Sequence, residues 1–390
     1  MKALFIHDHY FVHDKVNDKY YDGSGGSFTK YMWDRYLSVF DELLVIGREK
    51  ENLPNKLVIS SSNNVGFVLI DDIKSSKDKI LKYKIIKKKI KTEIEKVDFV
   101  ISRLPSTLGF FAIDICKEIN KPYLIEVVGC PFDAYWNYGG MLTKVIAPIQ
   151  YFKLRNYVKK SENIIYVTQK FLQSRYPNKK QTIGISNVNL KEVQNVGSVL
   201  SFYNKSFETF NIGLIGSFHV KYKGHVEAIK ALKYLVNKGQ KNIRLNLVGT
   251  GDSGWLLDII QELNLNQFVN IIGLLEAGEK GILPFLDKQH LYIHPSKQEG
   301  LPRVVIEAMS RGRLVLGASV AGVPELLSEK FLHKPGDWKK LANQIEYIYS
   351  SKYMWEKMIK ENIEIALKYK EGILQEKRVS FFKKIMNERN

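Results

Sequence analysis

The chain has 390 residues, 45% of them hydrophobic and 12% aromatic, a globular composition too long for one compact core. Lys and Arg number 59 against 41 Asp and Glu, giving +18 at pH 7 and an isoelectric point near 9.5. The expected partners are therefore anions: nucleic acid, an acidic membrane surface or phosphorylated ligands. No apolar run approaches the roughly 20 residues of a membrane span. The opening "MKALFIH" reads as a buried strand, not a signal peptide, and Cys116 and Cys130 alone make no disulfide framework or zinc site; a cytoplasmic location is expected.

In chain order, apolar runs occur at "KALFIH", "ELLVIG", "VGFVLID", "VDFVISR", "PYLIEVV" and "NIIYVT", most of them separated by helix-length segments. After a less regular stretch at residues 187 to 208 the pattern restarts with "FNIGLIGS", "IRLNLVG", "FVNIIGL", "HLYIHPS" and "RLVLGAS". Runs rich in Val, Ile and Leu that alternate with helices predict parallel sheets covered on both faces. Two series predict an α/β protein of two doubly wound domains with a cleft, over residues 1–195 and 208–372. A last helix at 373–390 is expected to cross back to the first domain. Ligands of such sheets bind beyond the carboxyl ends of the strands, so those loops hold the candidate residues.

One such loop stands in "HPSKQEGLPRVVIEAMSRG", residues 294 to 312. The spacing predicts a strand, a loop "KQEG" and a helix "LPRVVIEAMSRG", with Pro302 in its first turn, Gly312 at its end and a buried stripe of Val304, Val305, Ala308 and Met309. The amides of Leu301, Arg303 and Val304 would face the cleft, where a helix start attracts phosphate. Spacing alone also allows a plainer reading. Arg303, Glu307 and Arg311 lie four apart, so Glu307 could bridge two arginines on a solvated face.

The stretch resembles the E-x7-E signature of the retaining GT-B glycosyltransferases of family 4 (glycosyl transferases group 1). The likeness continues through "GRLVLGASVAGVPELL", which is similar to the family's Gly-Gly-x-x-Glu turn, with Ala321 in place of the first glycine, then Gly322 and Glu325. The resemblance implies two Rossmann-like domains facing across a cleft, an acceptor-binding one and a nucleotide-sugar-binding one. It implies that Glu299 holds hydroxyls of the transferred sugar and that Glu307 receives the nucleotide's ribose hydroxyls. The amides from Gly300 to Val304 would cradle the diphosphate of a UDP-linked donor.

"NIGLIGSFHVKYKGHVEAIKAL" resembles the family's next strand and Lys-Gly step. This implies that Lys223 neutralises charge on the leaving diphosphate. An arginine commonly follows the strand glycine of the family; here Ser217 follows Gly216. By the same resemblance Gly249 of "LVGTGDSG" lies near the nucleotide, Gly273 and Leu274 meet the base, and the pair Gly25 and Gly26 opens a helix near the donor phosphate. The family's histidine of the first domain has no counterpart in "LIEVVGCPFDAYW", and no histidine is assigned a catalytic role. The chain has no Asp-x-Asp pair to clamp a metal. Neither metal nor cofactor is expected, the donor being a substrate and the leaving phosphate itself taking the acceptor proton.

The segment "IKSSKDKILKYKIIKKKIKTEIEKV" places Ile80, Tyr83, Ile86, Ile90, Ile94 and Val97 on one helical stripe among many lysines. The stripe fits docking on a sheet. The lysine excess from Lys74 to Lys91 fits an anionic bilayer on the inner face of the cell membrane, where a lipid-linked acceptor would be met. "KVIAPIQYFKLRNYVKK" is a second candidate. The reading that results is a metal-independent, retaining hexosyltransferase that acts on a saccharide or lipid-linked saccharide in cell-surface polysaccharide or glycolipid synthesis. Two alternatives are a non-catalytic partner subunit of the same fold and a basic nucleic-acid-binding protein; the chain shows no nucleic-acid recognition motif.

Overall fold

The computed structural model describes residues 1–23, 28–50, 58–71, 79–137 and 140–388, with side chains of the helix at 79–95 described from residue 82 onward. The chain divides into two compact units. One comprises Met1–Pro131, Ile149–Ile185 and Gln375–Asn390, the other Phe132–Pro148 and Ser186–Leu374.

The first unit is built on strands β1 (Lys2–Asp14), β2 (Lys19–Asp22), β3 (Glu42–Glu49), β4 (Val65–Ile70), β5 (Phe99–Leu104), β6 (Tyr123–Val127), β7 (Asn163–Tyr166) and β8 (Gln181–Gly184). They form one sheet in the order β4-β3-β1-β5-β6-β7-β8, all neighbours parallel, with β2 paired antiparallel to the far end of β1. The helix Lys79–Glu95 docks by Ile86, Ile90 and Ile94, joined by Val97 just beyond it, on a layer that includes Leu4, Ile6 and Val100. That is the expected stripe, although Ile80 lies outside the described side chains. Phe5, Phe11, Phe28, Trp33 and Tyr36 form an aromatic cluster, with the Phe5 and Tyr36 rings 5.4 Å apart. Within this unit Phe382 of the last helix, Glu371–Asn387, is fully buried between Phe40 and Phe99.

The second unit carries β9 (Phe210–Ile215), β10 (Ile243–Val248), β11 (Val269–Gly273), β12 (Leu291–His294), β13 (Leu314–Ala318) and β14 (Leu332–His333), ordered β11-β10-β9-β12-β13-β14 and parallel throughout. Strand order therefore reverses between β9 and β12, the topological switch point at which doubly wound sheets open a crevice. Leu214, Leu247, Ile293 and Leu316 place apolar side chains of the four central strands in one core. The irregular join contains a short helix, Val196–Tyr203, capped by the Asn195 side chain.

The carboxyl ends of β9 and β10 meet backbone to backbone. A Cβ added to Gly249 would stand 1.9 Å from the Gly216 carbonyl oxygen, a clash that no side-chain rotation relieves. Gly249→Ala should therefore cost at least about 1–3 kcal/mol, the usual penalty of overpacking, read as a lower urea midpoint at unchanged slope. An unchanged midpoint would mean that the two strand ends part freely.

Candidate functional site

At the switch point, the loop after β9 and the loop after β12 deliver the two residues expected to carry chemistry. Lys223 ends a single 3-10 turn, Lys221–Lys223, and the chain then reverses through Gly224 at φ +83°. A Cβ on Gly224 would lie 2.4 Å from the Pro295 carbonyl oxygen, so a glycine is needed both for the left-handed backbone and for the close approach of the loops. Gly216 leaves room for the Lys223 stem, since a Cβ there would come within 2.9 Å of Lys223 Cβ.

The Lys223 ammonium reaches Glu299 Oε1 at 2.7 Å. His294, the last residue of β12, contacts the same oxygen through Nε2 at 3.0 Å, and its Nδ1 lies 3.2 Å from the Tyr292 hydroxyl. The carboxylate selects the tautomer in which Nε2–H donates to Glu299 and Nδ1 accepts from Tyr292. Two donors thus converge on Oε1, while neither bond that Glu299 accepts from described residues uses Oε2. Burial pushes the Glu299 carboxyl up, but Lys223 and then His294 more than reverse this and hold it well below the usual carboxylate range. Burial likewise pushes the Lys223 ammonium down, and Glu299 outweighs it, so the pair is fully charged at neutral pH.

The helix that follows starts later than expected. It spans Arg303–Ser310, and Pro302 is its N-cap in extended conformation (φ −73°, ψ 110°), so Leu301 belongs to the loop. Its buried stripe is Val305, Ile306, Ala308 and Met309, with Val304 half-buried. The arginine ladder does not form. Arg311 makes a bidentate pair with Asp287, Nε at 2.7 Å and Nη2 at 2.6 Å, and Arg303 is exposed at the helix start. The half-buried Glu307 carboxylate accepts no hydrogen bond and has no ion pair among the described residues. Burial raises its pKa, with only partial relief from Arg303. Gly300 is tied to the next turn, its carbonyl accepting from Gly322 N at 2.8 Å, and Ala321 holds φ +48° where the resemblance implies glycine.

The remaining expected residues have mixed placements. Gly216, Gly249 and Gly273 stand side by side at the carboxyl edge of β9, β10 and β11, with Gly216 N bonded to Val248 O and Gly249 N to Gly273 O. Leu274 is exposed just beyond β11. Ser217 Oγ is turned to Thr250, donating to its carbonyl at 3.2 Å. Gly25 and Gly26 lie outside the described residues. In the first unit, His7 and His9 lie within β1 rather than in a loop beyond it. His7 Nδ1 lies 3.1 Å from Arg103 O, and burial together with Arg103 pushes its imidazole down to about 3, while His9 lies 3.3 Å from Asp22.

His294 is the residue that sequence reasoning missed. Its signal was available: Tyr292 and His294 are two apart on a strand, so they share one face, and a polar pair on a buried strand needs a partner.

Comparison with known proteins matches this chain to the family model "Glycosyl transferases group 1" over residues 209–351. Protein CapJ of Staphylococcus aureus is 38% identical over 395 aligned residues, covering 100% of this chain and 97% of that protein. The capsular polysaccharide biosynthesis glycosyltransferase CapM of the same organism is 27% identical, over 38% of this chain and 39% of its own. Among solved structures, sucrose-phosphate synthase of Thermosynechococcus elongatus superposes with a TM-score of 0.73 at 15% identity over 99% of each chain. HepE of Anabaena in complex with UDP-glucose superposes with a TM-score of 0.69 at 16% identity over 98% of this chain and all of its own. The chain belongs to the group 1 glycosyltransferases, and its fold is GT-B.

If His294 holds Glu299 in place, His294→Ala should lower turnover in donor hydrolysis about tenfold or more and leave the Kd for free nucleoside diphosphate unchanged. His294→Gln, whose amide can donate from a similar position, should recover most of that loss. Equal turnover in His294→Ala and parent would make the histidine a packing residue only.

Proposed function

We propose that this protein is a retaining glycosyltransferase that moves a sugar from a UDP-sugar to a saccharide or lipid-linked saccharide acceptor in cell-surface polysaccharide synthesis. The observation that carries this reading is the contrast between two carboxylates eight residues apart. Glu299 is charged and held by Lys223 and His294 through one oxygen only. Glu307 is half-buried and finds no partner among the described residues. A desolvated carboxylate without a partner is costly, and a ligand hydroxyl would relieve that cost. The names of the relatives point the same way: HepE is described with UDP-glucose, and CapM with capsular polysaccharide biosynthesis.

In this mechanism the amides at the start of helix Arg303–Ser310 and the Lys223 ammonium face the diphosphate, whose charge grows as the glycosidic bond breaks. The free oxygen of Glu299 accepts from a hydroxyl of the transferred sugar, and Glu307 accepts from the ribose. The leaving phosphate takes the acceptor's proton on the face it vacates, so the anomeric configuration is retained. The protein works on the cytoplasmic side of the membrane, and the lysine-rich helix Lys79–Glu95 favours an anionic surface there. The deciding assay is hydrolysis of a panel of nucleotide-sugars by the purified chain without acceptor, with the anomer of the transferred product read by NMR. An inverted anomer, or no turnover of any nucleotide-sugar, would sink the reading.

Glu307→Ala should weaken UDP binding by about 1–3 kcal/mol, roughly five- to a hundredfold or somewhat more in Kd by calorimetry. Glu299→Ala should leave UDP binding near that of the parent and lose turnover. The raised pKa of Glu307 gives a pH signature. Since only the ionised form accepts the ribose hydroxyls fully, UDP affinity should fall on acidification at a higher pH than an ordinary glutamate titrates, and this dependence should vanish in Glu307→Ala.

Turnover should persist in EDTA, because the helix start and Lys223 supply the positive charge. Complete loss with chelator, restored by manganese or magnesium, would contradict that.

A further inference from the structure

The helix Met141–Lys159 has one face packed by Ala147, Leu154 and Val158, all fully buried. On a surface helix the opposite face should be polar. Here it is not: Met141, Leu142, Val145, Ile149 and Phe152 are 86%, 73%, 61%, 61% and 63% exposed. Their positions recur every three to four residues, so they form one stripe along three turns of the same helix. Just ahead of it, Trp136 is half exposed, with the Lys144 ammonium 5.6 Å from its ring centre.

Along the helix itself the charge has a single sign, with one carboxylate from outside it, Asp114, accepting from the Tyr157 hydroxyl. Between Asp133 and Glu162 the chain carries Lys144, Lys153, Arg155, Lys159 and Lys160 and no carboxylate. A second copy of the chain laid on this face would set like charges against like, which disfavours self-association. An anionic lipid leaflet would meet both features at once: headgroups beside the cations, acyl chains against the stripe. An apolar stripe edged by basic and aromatic residues is the pattern of helices that lie in the membrane interface. Among the described residues no helix is long and apolar enough to cross a membrane, so this would be attachment along the surface.

We infer that the helix Met141–Lys159 is the element that inserts into an anionic bilayer, with Met141, Leu142, Val145, Ile149 and Phe152 entering the acyl boundary. The inference builds on the proposed use of a lipid-linked acceptor and assigns the contact to a different element from the lysine-rich helix Lys79–Glu95. In the latter, the apolar stripe is buried against its own sheet and the outer face is mostly lysine, with Lys89 donating to Leu69 O and Lys91 paired with Glu118. The division of labour follows: lysines attract at a distance, and the apolar stripe holds.

The test uses the full chain and sedimentation with vesicles of phosphatidylglycerol mixed with phosphatidylcholine, against phosphatidylcholine alone. The parent should bind the mixed vesicles, with a blue shift in tryptophan fluorescence, and bind the neutral ones poorly. Leu142→Ser/Ile149→Ser/Phe152→Ser, all exposed positions, should bind the mixed vesicles at least tenfold more weakly while keeping the parent's melting temperature and donor hydrolysis. Lys87→Glu/Lys88→Glu/Lys89→Glu should slow association and flatten its dependence on salt, with the blue shift of the bound fraction retained. Parent-like vesicle binding by the serine variant would overturn the inference. So would a parent that ignores vesicles and is dimeric by light scattering, with the serine variant monomeric, since the face would then join two copies. Donor hydrolysis on the same samples separates the two readings: its absence in a parent that binds vesicles refutes the proposed activity alone.

Discussion

The ion pair between Lys223 and Glu299 organises the second unit of this protein. It joins the loops after β9 and β12, two strands that are adjacent in the sheet and far apart in the chain, at the point where strand order reverses. A charge pair this sheltered is stable only if desolvation is offset by geometry and further hydrogen bonds. Each neighbour of the pair contributes to that condition. His294 adds a second donor to the carboxylate, Tyr292 fixes the imidazole, and Gly216 and Gly224 clear the path by which the lysine and its loop come close.

The same local economy explains why the two glutamates differ. Glu299 sits where two donors, Lys223 and His294, converge and stays charged. Glu307, in the helix that follows, has only partial relief from Arg303, while Arg311 is held by Asp287 in a bidentate pair. Environments that drive two carboxylates in opposite directions usually mark two different tasks. In this chain the separation lies within one loop and the helix after it: Lys223 and His294 hold Glu299, and no described residue pairs with Glu307.

Much of this arrangement could be read from the sequence. Alternating apolar runs located eleven of the strands, because parallel strands buried on both faces are continuously hydrophobic. The strands that escaped are short or sit at edges. β2 extends β1 as a hairpin, and β8 and β14 close the sheets with four and two residues. The family resemblance named Lys223 and Glu299 separately, and their meeting was not foreseen, since residues 76 positions apart carry no local signal of contact. The helix start shifted because Pro302 accepts either the cap or the first turn, and only the fold decides between them. The plainer reading of Glu307 failed for a related reason: Asp287 lies outside the helix on which the ladder was drawn, so no count along that helix could include it.

The pair of Arg311 with Asp287 also has a mechanical side. It anchors the carboxyl end of the short helix Arg303–Ser310, while Gly300 at the other end is tied to Gly322. These two ties hold the ends of the segment that carries both carboxylates. Under the proposed roles, a donor that engages Glu299 and Glu307 together must bridge the interval between them, so its reach becomes a selecting property beside its functional groups. Tolerance at either end of such a molecule is then a separate matter from tolerance of its span.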